Sequence, residues 1–236
     1  MSTLATLFTR NTQESELYQQ HKALLVEQPK LRRRDQAAAL AVSEAELIDQ
    51  QCSVRSMRLN DDFAEMIRTF PELGYIMTLT RNEHAVHERK GIYENVRISG
   101  PMGLVIASDR RVDLRLILSR WAHGFAVSED TPRGTRFSLQ FFDRAGTAIQ
   151  KIFLQPDSNE AAYSALVENY AHERQEGQLV IEPLTDMPVH VADDQVDSQV
   201  LLEEWVGMTD VHQFFGMLRR HKISREQAFR IVGEPW

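Results

Sequence analysis

Between residues 136 and 142 the chain alternates apolar and polar side chains, and this alternation restricts the fold more than any other feature of the sequence. Successive side chains on an extended chain point to opposite sides, so Phe137, Leu139 and Phe141 share one face of a strand while Ser138 and Gln140 share the other. Asp143-Arg144-Ala145-Gly146-Thr147 has the composition of a turn, and β-forming residues return over 148–154, so the two runs predict a hairpin. Residues 75–81, 85–93 and 104–107 are further β-rich runs separated by turn residues, and they predict adjacent antiparallel strands.

Helical signals surround these strands. Residues 15–26 are amphipathic, 33–42 are alanine-rich, and Ser43-Glu44-Ala45-Glu46 has the form of a capping box. A helix is predicted from about Asp61 to Phe70, behind Asn60 and before Pro71 and Gly74, and another over 159–172 with Ala162, Leu166 and Tyr170 spaced for burial. The first unit, residues 1–172, thus reads as α+β: an antiparallel sheet with helices packed on one side.

At about 150 residues per domain, 236 residues amount to roughly one and a half domains. Between His172 and Glu204 stand nine acidic residues and one arginine, Arg174. That stretch carries −8 of a total −7, leaving the rest near +1, so residues 173–197, with Pro183 and Pro188, read as an acidic linker. Helical patterns resume in 198–236. Thr209 or Asp210 can cap a helix through His221, and Ser224-Arg225-Glu226-Gln227 is a second capping box before Gly233 and Pro235. Shifted by 191 positions, Arg34-Asp35-Gln36-Ala37 falls on Arg225-Glu226-Gln227-Ala228, and His21 falls on His212. This weak repeat predicts that 198–236 are the opening helices of a truncated second copy.

Several function classes drop out. No metal-protease, serine-hydrolase, paired-cysteine or Walker motif occurs, and Gly100-Pro101-Met102-Gly103 is too short for a dinucleotide loop. His84 and His87, three apart on a predicted strand, would point to opposite faces and share no metal. With one cysteine, Cys52, no run of about 18 apolar residues and no leader pattern, the expectation is a soluble cytoplasmic protein without membrane insertion. The acidic balance argues against nucleic acid as a partner.

The segment Thr209-Asp210-Val211-His212-Gln213-Phe214-Phe215-Gly216 is more specific. On a helix His212 and Gly216 share a face, so a flat ligand could approach the backbone beside an imidazole, with Phe214 or Phe215 and the cations Arg219 and Arg220 nearby. A porphyrin needs such a set. The same residues also fit a buried histidine between paired helices, or a helix-turn-helix, since residues 210–236 carry a net +2.

Arg81-Asn82-Glu83-His84-Ala85-Val86-His87-Glu88, Val112-Asp113-Leu114-Arg115-Leu116 with Trp121, Gln140-Phe141-Phe142-Asp143 with Gly146, and Met208 through Phe215 together resemble the HemS/ChuS/HmuS family of bacterial haem-utilisation proteins. The resemblance implies two similar halves that hold haem b between them, with His212 as the iron ligand, Arg115 on the distal face, Arg225 near the propionates and His87 as a minor contact. It implies a haem carrier for iron acquisition, or a haem-degrading enzyme, with a haem importer or a downstream acceptor as partner; a non-haem helical interaction module is the third reading. Most of the family's second half has no counterpart in this chain. The resulting open pocket and the apolar stripe Val211, Phe214, Phe215 and Leu218 predict self-association as a homodimer.

Overall fold

The computed structural model describes residues 3–8, 15–52, 55–82, 84–175, 179–182 and 190–233. The chain divides into two units, residues 1–183 and 184–236. Glu83, Glu176, Pro183, Asp186, Pro188 and Pro235, used in the sequence reading, lie outside the described residues.

In the first unit the alternating run becomes β8 (Gly134–Phe142), paired on one side with β7 (His123–Thr131) and on the other with β9 (Ala148–Ser158). The sheet extends through β2 (Gly74–Arg81) to the edge strand β3 (Val86–Gly91), and through β7 to β1 (Ser56–Leu59), giving the antiparallel order β1-β7-β8-β9-β2-β3. The predicted hairpin is present. The Asp143 carboxylate accepts the N–H groups of Ala145 and Thr147, and Gly146 supplies the positive φ (+73°) that the turn requires. The run near Leu104 is not a neighbour of β3 in this sheet. It forms β5 (Met102–Ile106), which sits between β4 (Arg97–Ser99) and β6 (Asp113–Ile117) in a separate three-stranded sheet.

Helices cover both faces of the large sheet, which corrects the one-sided expectation. Phe137, Leu139 and Phe141 pack with Phe63, Met66 and Ile67 of α4 (Phe63–Arg68) and with Tyr163, Leu166 and Val167 of α5 (Glu160–Tyr170). On the opposite face Phe125, Val127 and Phe142 pack against Ala45, Ile48 and Cys52. Ala45 and Ile48 belong to α3 (Glu44–Asp49), whose predicted capping box by Ser43 and Glu46 is formed. Ser138 and Gln140 are therefore buried rather than solvated. A polar network covers that face: Gln140 Nε2 donates to Ser138 Oγ, and Lys151 Nζ lies 2.7 Å from Glu44 Oε2, whose other oxygen is 3.3 Å from Arg81, while Gln140 Oε1 has no partner among the described residues. The preceding helices α1 (Glu16–Glu27) and α2 (Arg33–Ala39) are joined to α3 through buried His21, which contacts Gln36, Gln50 and Gln51.

The second unit is helical over its described part: α6 (Ser198–Val206), α7 (Gln213–His221) and α8 (Arg225–Val232). Asp197 caps α6, and Ser224 and Gln227 form the predicted capping box of α8. Leu201, Met217, Leu218, Ile223 and Ala228 make its core, with Trp205 and Phe214 packed against it. Phe214 and Leu218 are thus covered by α6 and α8, so of the stripe expected to lie bare only Val211 and Phe215 are exposed.

Candidate functional site at the start of the seventh helix

His212 does not lie inside a helix. It is the N-cap of α7, one residue before the first helical position, although its own backbone angles (φ −69°, ψ −18°) are helical. The segment before it is tied by side chains: Gln213 Oε1 accepts the N–H of Thr209 at 2.9 Å and that of Asp210 at 3.4 Å. Asp210 Oδ1 accepts the His212 backbone N–H at 2.7 Å and faces the His212 ring at Nδ1, 2.6 Å away. These bonds hold the Asp210 carboxyl below the usual carboxylate range, the backbone N–H contributing most. The His212 side chain is otherwise 90% exposed.

Positions three, four and seven beyond His212 lie along the same side of the chain. They are Phe215, Gly216 and Arg219. Phe215 is exposed, and the Arg225 guanidinium from α8 stands 5.3 Å from its ring centroid. A side chain at Gly216 would meet Arg220 Nη1 at 3.3 Å, so the missing Cβ also makes room for Arg220. Arg220 is committed to Glu204, whose second oxygen is 2.8 Å from His221 Nε2. Among the described residues no carboxylate is in salt-bridge range of Arg219 or Arg225, so these two, rather than Arg219 and Arg220, are the cations left to meet an anion. The sequence pattern pointed to His212 and the family resemblance to Arg225, but neither pointed to the Asp210 contact, whose only signal was an aspartate two residues before the histidine.

Arg115 belongs to the first unit, at the centre of β6, where burial alternates as Leu114 and Leu116 inward and Arg115 and Ile117 outward. The inward row ends there, because Leu118 opens a short 3-10 turn instead of continuing the strand. Arg115 is 71% exposed and only 3.5 Å from Asp113 at its nearest. Across the strand pair it faces Leu104, and Met102 and Ile117 form the next pair; all three are exposed apolar side chains around the guanidinium. His87 is exposed on edge strand β3, whereas His84 precedes that strand in a turn closed by Asn82, so the opposite-face argument does not apply to it.

Other candidates are weaker. Burial, followed by the Asp49 carboxylate, pushes the Cys52 thiol up to about 12, which removes it as a thiolate ligand or nucleophile. A cleft of about 370 Å³ in the first unit is lined by Arg58, Asp61, His123 and His172 among others. Among the described residues no three acidic, histidine or cysteine side chains are grouped to hold a metal ion.

An exposed imidazole, an exposed phenyl ring and two guanidinium groups without a carboxylate partner among the described residues suit a flat apolar ligand that carries a Lewis-acidic centre and anionic arms. Residues 41–170, more than half of the chain, match the family described as the haemin-degrading HemS.ChuX domain. The chain belongs to this family. As a HemS/ChuX member it is 37% identical over 218 residues to the hemin transport protein HmuS of Yersinia pestis, covering 92% of this chain and 62% of that protein. The crystal structure of holo-PhuS, a heme-binding protein from Pseudomonas aeruginosa, superposes with a TM-score of 0.89 at 41% identity, over 95% of this chain and 65% of that one. The heme-degrading enzyme ChuS of Escherichia coli O157:H7 gives 0.81 at 34% identity, over 92% and 62%. The chain thus spans less than two thirds of the length of these relatives. ChuX, at 17% identity and a TM-score of 0.52, shares the fold alone.

Proposed function

We propose that this chain binds haem b, with His212 as the axial ligand of the iron, and passes it on within the cytoplasm during iron acquisition. The observation that carries the reading is the exposed His212 ring, whose Nδ1 is occupied by Asp210 while its Nε2 has no partner among the described residues. Bound haem would supply a Lewis-acidic iron. The chain's own residues would supply the imidazole, the phenyl face of Phe215 and the propionate cations Arg219 and Arg225. Arg115 is the proposed distal group, because it is an exposed cation set among exposed apolar side chains, and its ion pair with Asp113 is long at 3.5 Å. The partners in this reading are a haem importer, a downstream acceptor and a second copy of the chain, each able to cover porphyrin surface that these residues leave in water. The likeness to HmuS and PhuS, described respectively as a transport and a heme-binding protein, supports a carrier.

A second reading is oxidative haem cleavage, supported by the likeness to ChuS, which is described as a heme-degrading enzyme. A haem titration followed by addition of a reductant in air separates the readings. A stable Soret band supports the carrier, and its decay to a biliverdin-like chromophore supports the enzyme. No Soret band overturns the proposal and leaves a non-haem helical module, and equal haem affinity in the native chain and His212→Ala overturns His212 as the iron ligand.

A further inference from the structure

We propose that Asp210 is a positioning residue that sets the tautomer of His212, so that Nε2 presents a lone pair to an iron centre; this rests on the haem reading above.

A neutral imidazole carries one N–H, on either nitrogen. An ionised carboxylate can only accept, so at 2.6 Å from Asp210 Oδ1 the proton must sit on Nδ1, and Nε2 is left unprotonated. A solvated neutral histidine favours the other tautomer, with Nε2–H, which cannot ligate through Nε2 until the proton has moved. At an exposed ring like this one the free preference would hold unless a neighbour opposed it. The carboxylate also cannot drift away easily, because the same Oδ1 accepts the backbone N–H of His212, so the group that orients the ring is tied to the residue that carries it. Gln213 then fixes the backbone on which Asp210 sits.

The ordinary role of an aspartate before a helix is to cap it, and Asp210 does not do this for α7. The N-cap is His212, without a side-chain capping bond, and both Asp210 contacts go to His212 itself. Carboxylates that take the second nitrogen of a metal-bound histidine commonly hold its orientation and raise its basicity, and losing one costs about 10- to 100-fold in metal affinity.

The test uses the full chain and its Asp210→Ala and Asp210→Asn variants. Without haem, nitrogen-15 NMR of the His212 ring should report Nδ1–H in the native chain and a shift toward Nε2–H in Asp210→Ala. With haem, Asp210→Ala should bind about 10-fold more weakly. Its ferrous iron–histidine stretch should fall in frequency and its midpoint potential should rise. Asp210→Asn keeps an acceptor oxygen but no charge, so it should recover part of the affinity and none of the potential. An unchanged ring tautomer and iron–histidine frequency in Asp210→Ala, while His212→Ala loses haem, would overturn the role of Asp210 alone. Haem binding undiminished in His212→Ala would overturn His212 as the iron ligand and this inference with it.

Discussion

His21 Nε2 lies 3.0 Å from Gln36 Oε1 in the interior of the first unit. An amide oxygen only accepts, so the ring proton is on Nε2, and Nδ1 accepts from the side-chain amides of Gln50 and Gln51, each at 3.1 Å. The 191-residue shift that relates the two ends of the sequence puts His21 on His212 and Gln36 on Gln227. The two histidines nevertheless hold opposite tautomers. Gln227 turns its amide to the Val191 carbonyl and the Ser224 N–H, so it is not the partner of His212, which takes Asp210 instead. One imidazole serves as an uncharged link between helices, and the other keeps the nitrogen suited to a metal exposed.

This link makes the fold sensitive to mild acid. Burial disfavours the charged ring and holds the His21 pKa below 6.5, and His123 is shifted the same way for the same reason. The unfolded chain therefore takes up protons that the folded chain resists. Stability should be full above the unfolded value of about 6.5 and fall as the pH drops through it toward the lowered folded values. The buried Glu44 carboxyl and the half-buried Glu129 carboxyl are held below 4.5 and act only in stronger acid. Thermal melts between pH 7.5 and 5.5 should show Tm falling, with a shallower slope in His21→Gln; an identical slope would remove His21 from the effect.

Lys151 and Glu44 are both buried and 2.7 Å apart beneath α3, and Glu44 also meets Arg81. Replacing Lys151 with Met leaves the buried Glu44 carboxylate with Arg81 as its remaining cation and should cost up to about 3–5 kcal/mol in chemical denaturation. The double change Lys151→Met with Glu44→Gln should recover much of that loss. A double variant no more stable than Lys151→Met would mean that shape, and not the uncompensated charge, sets the cost.

The hairpin was legible in the sequence because a period of two followed by a glycine turn is a local signal, and so were the capping boxes at Ser43 and Ser224. What covers the second face of the sheet was not. The alternation puts Ser138 and Gln140 on the face opposite Phe137, Leu139 and Phe141, but only tertiary packing brings Glu44 to its partner Lys151 on that face and buries it. Likewise the spacing of His212, Phe215 and Gly216 was visible in the sequence, whereas the bond from Asp210 follows from a loop conformation that has no period to detect.

Gly146 joins the hairpin to α3. Its φ of +73° is strained for any other residue, and an added Cβ would collide with Ser43, the residue that caps α3. Gly146→Ala should lower Tm by several degrees and loosen α3, seen as faster amide exchange at Glu46 and Leu47. An unchanged Tm would show that the turn can relax.

At Arg115 folding and ligand binding should separate. The side chain is exposed and its contact with Asp113 is long, so Arg115→Ala should leave Tm nearly unchanged. If Arg115 is the distal group, the absorption spectrum of the haem-loaded protein should shift in this variant. An unchanged spectrum would assign it to the surface.

Arg225 offers a sharper test, because its proposed partner is one chemical group. It stands over the exposed face of Phe215, which limits the positions its guanidinium can adopt, and no carboxylate among the described residues neutralises it. A porphyrin seated against Phe215 would bring a propionate to a cation already held in place, which reduces the ordering needed on binding. Arg225→Gln should therefore weaken binding of haem several-fold while leaving binding of its dimethyl ester unchanged, since the ester has no charge to lose. The difference should shrink as salt is raised, because exposed charge pairs are screened. Equal weakening for haem and ester would mean that Arg225 acts by packing on Phe215, and the anion partner would then fall to Arg219.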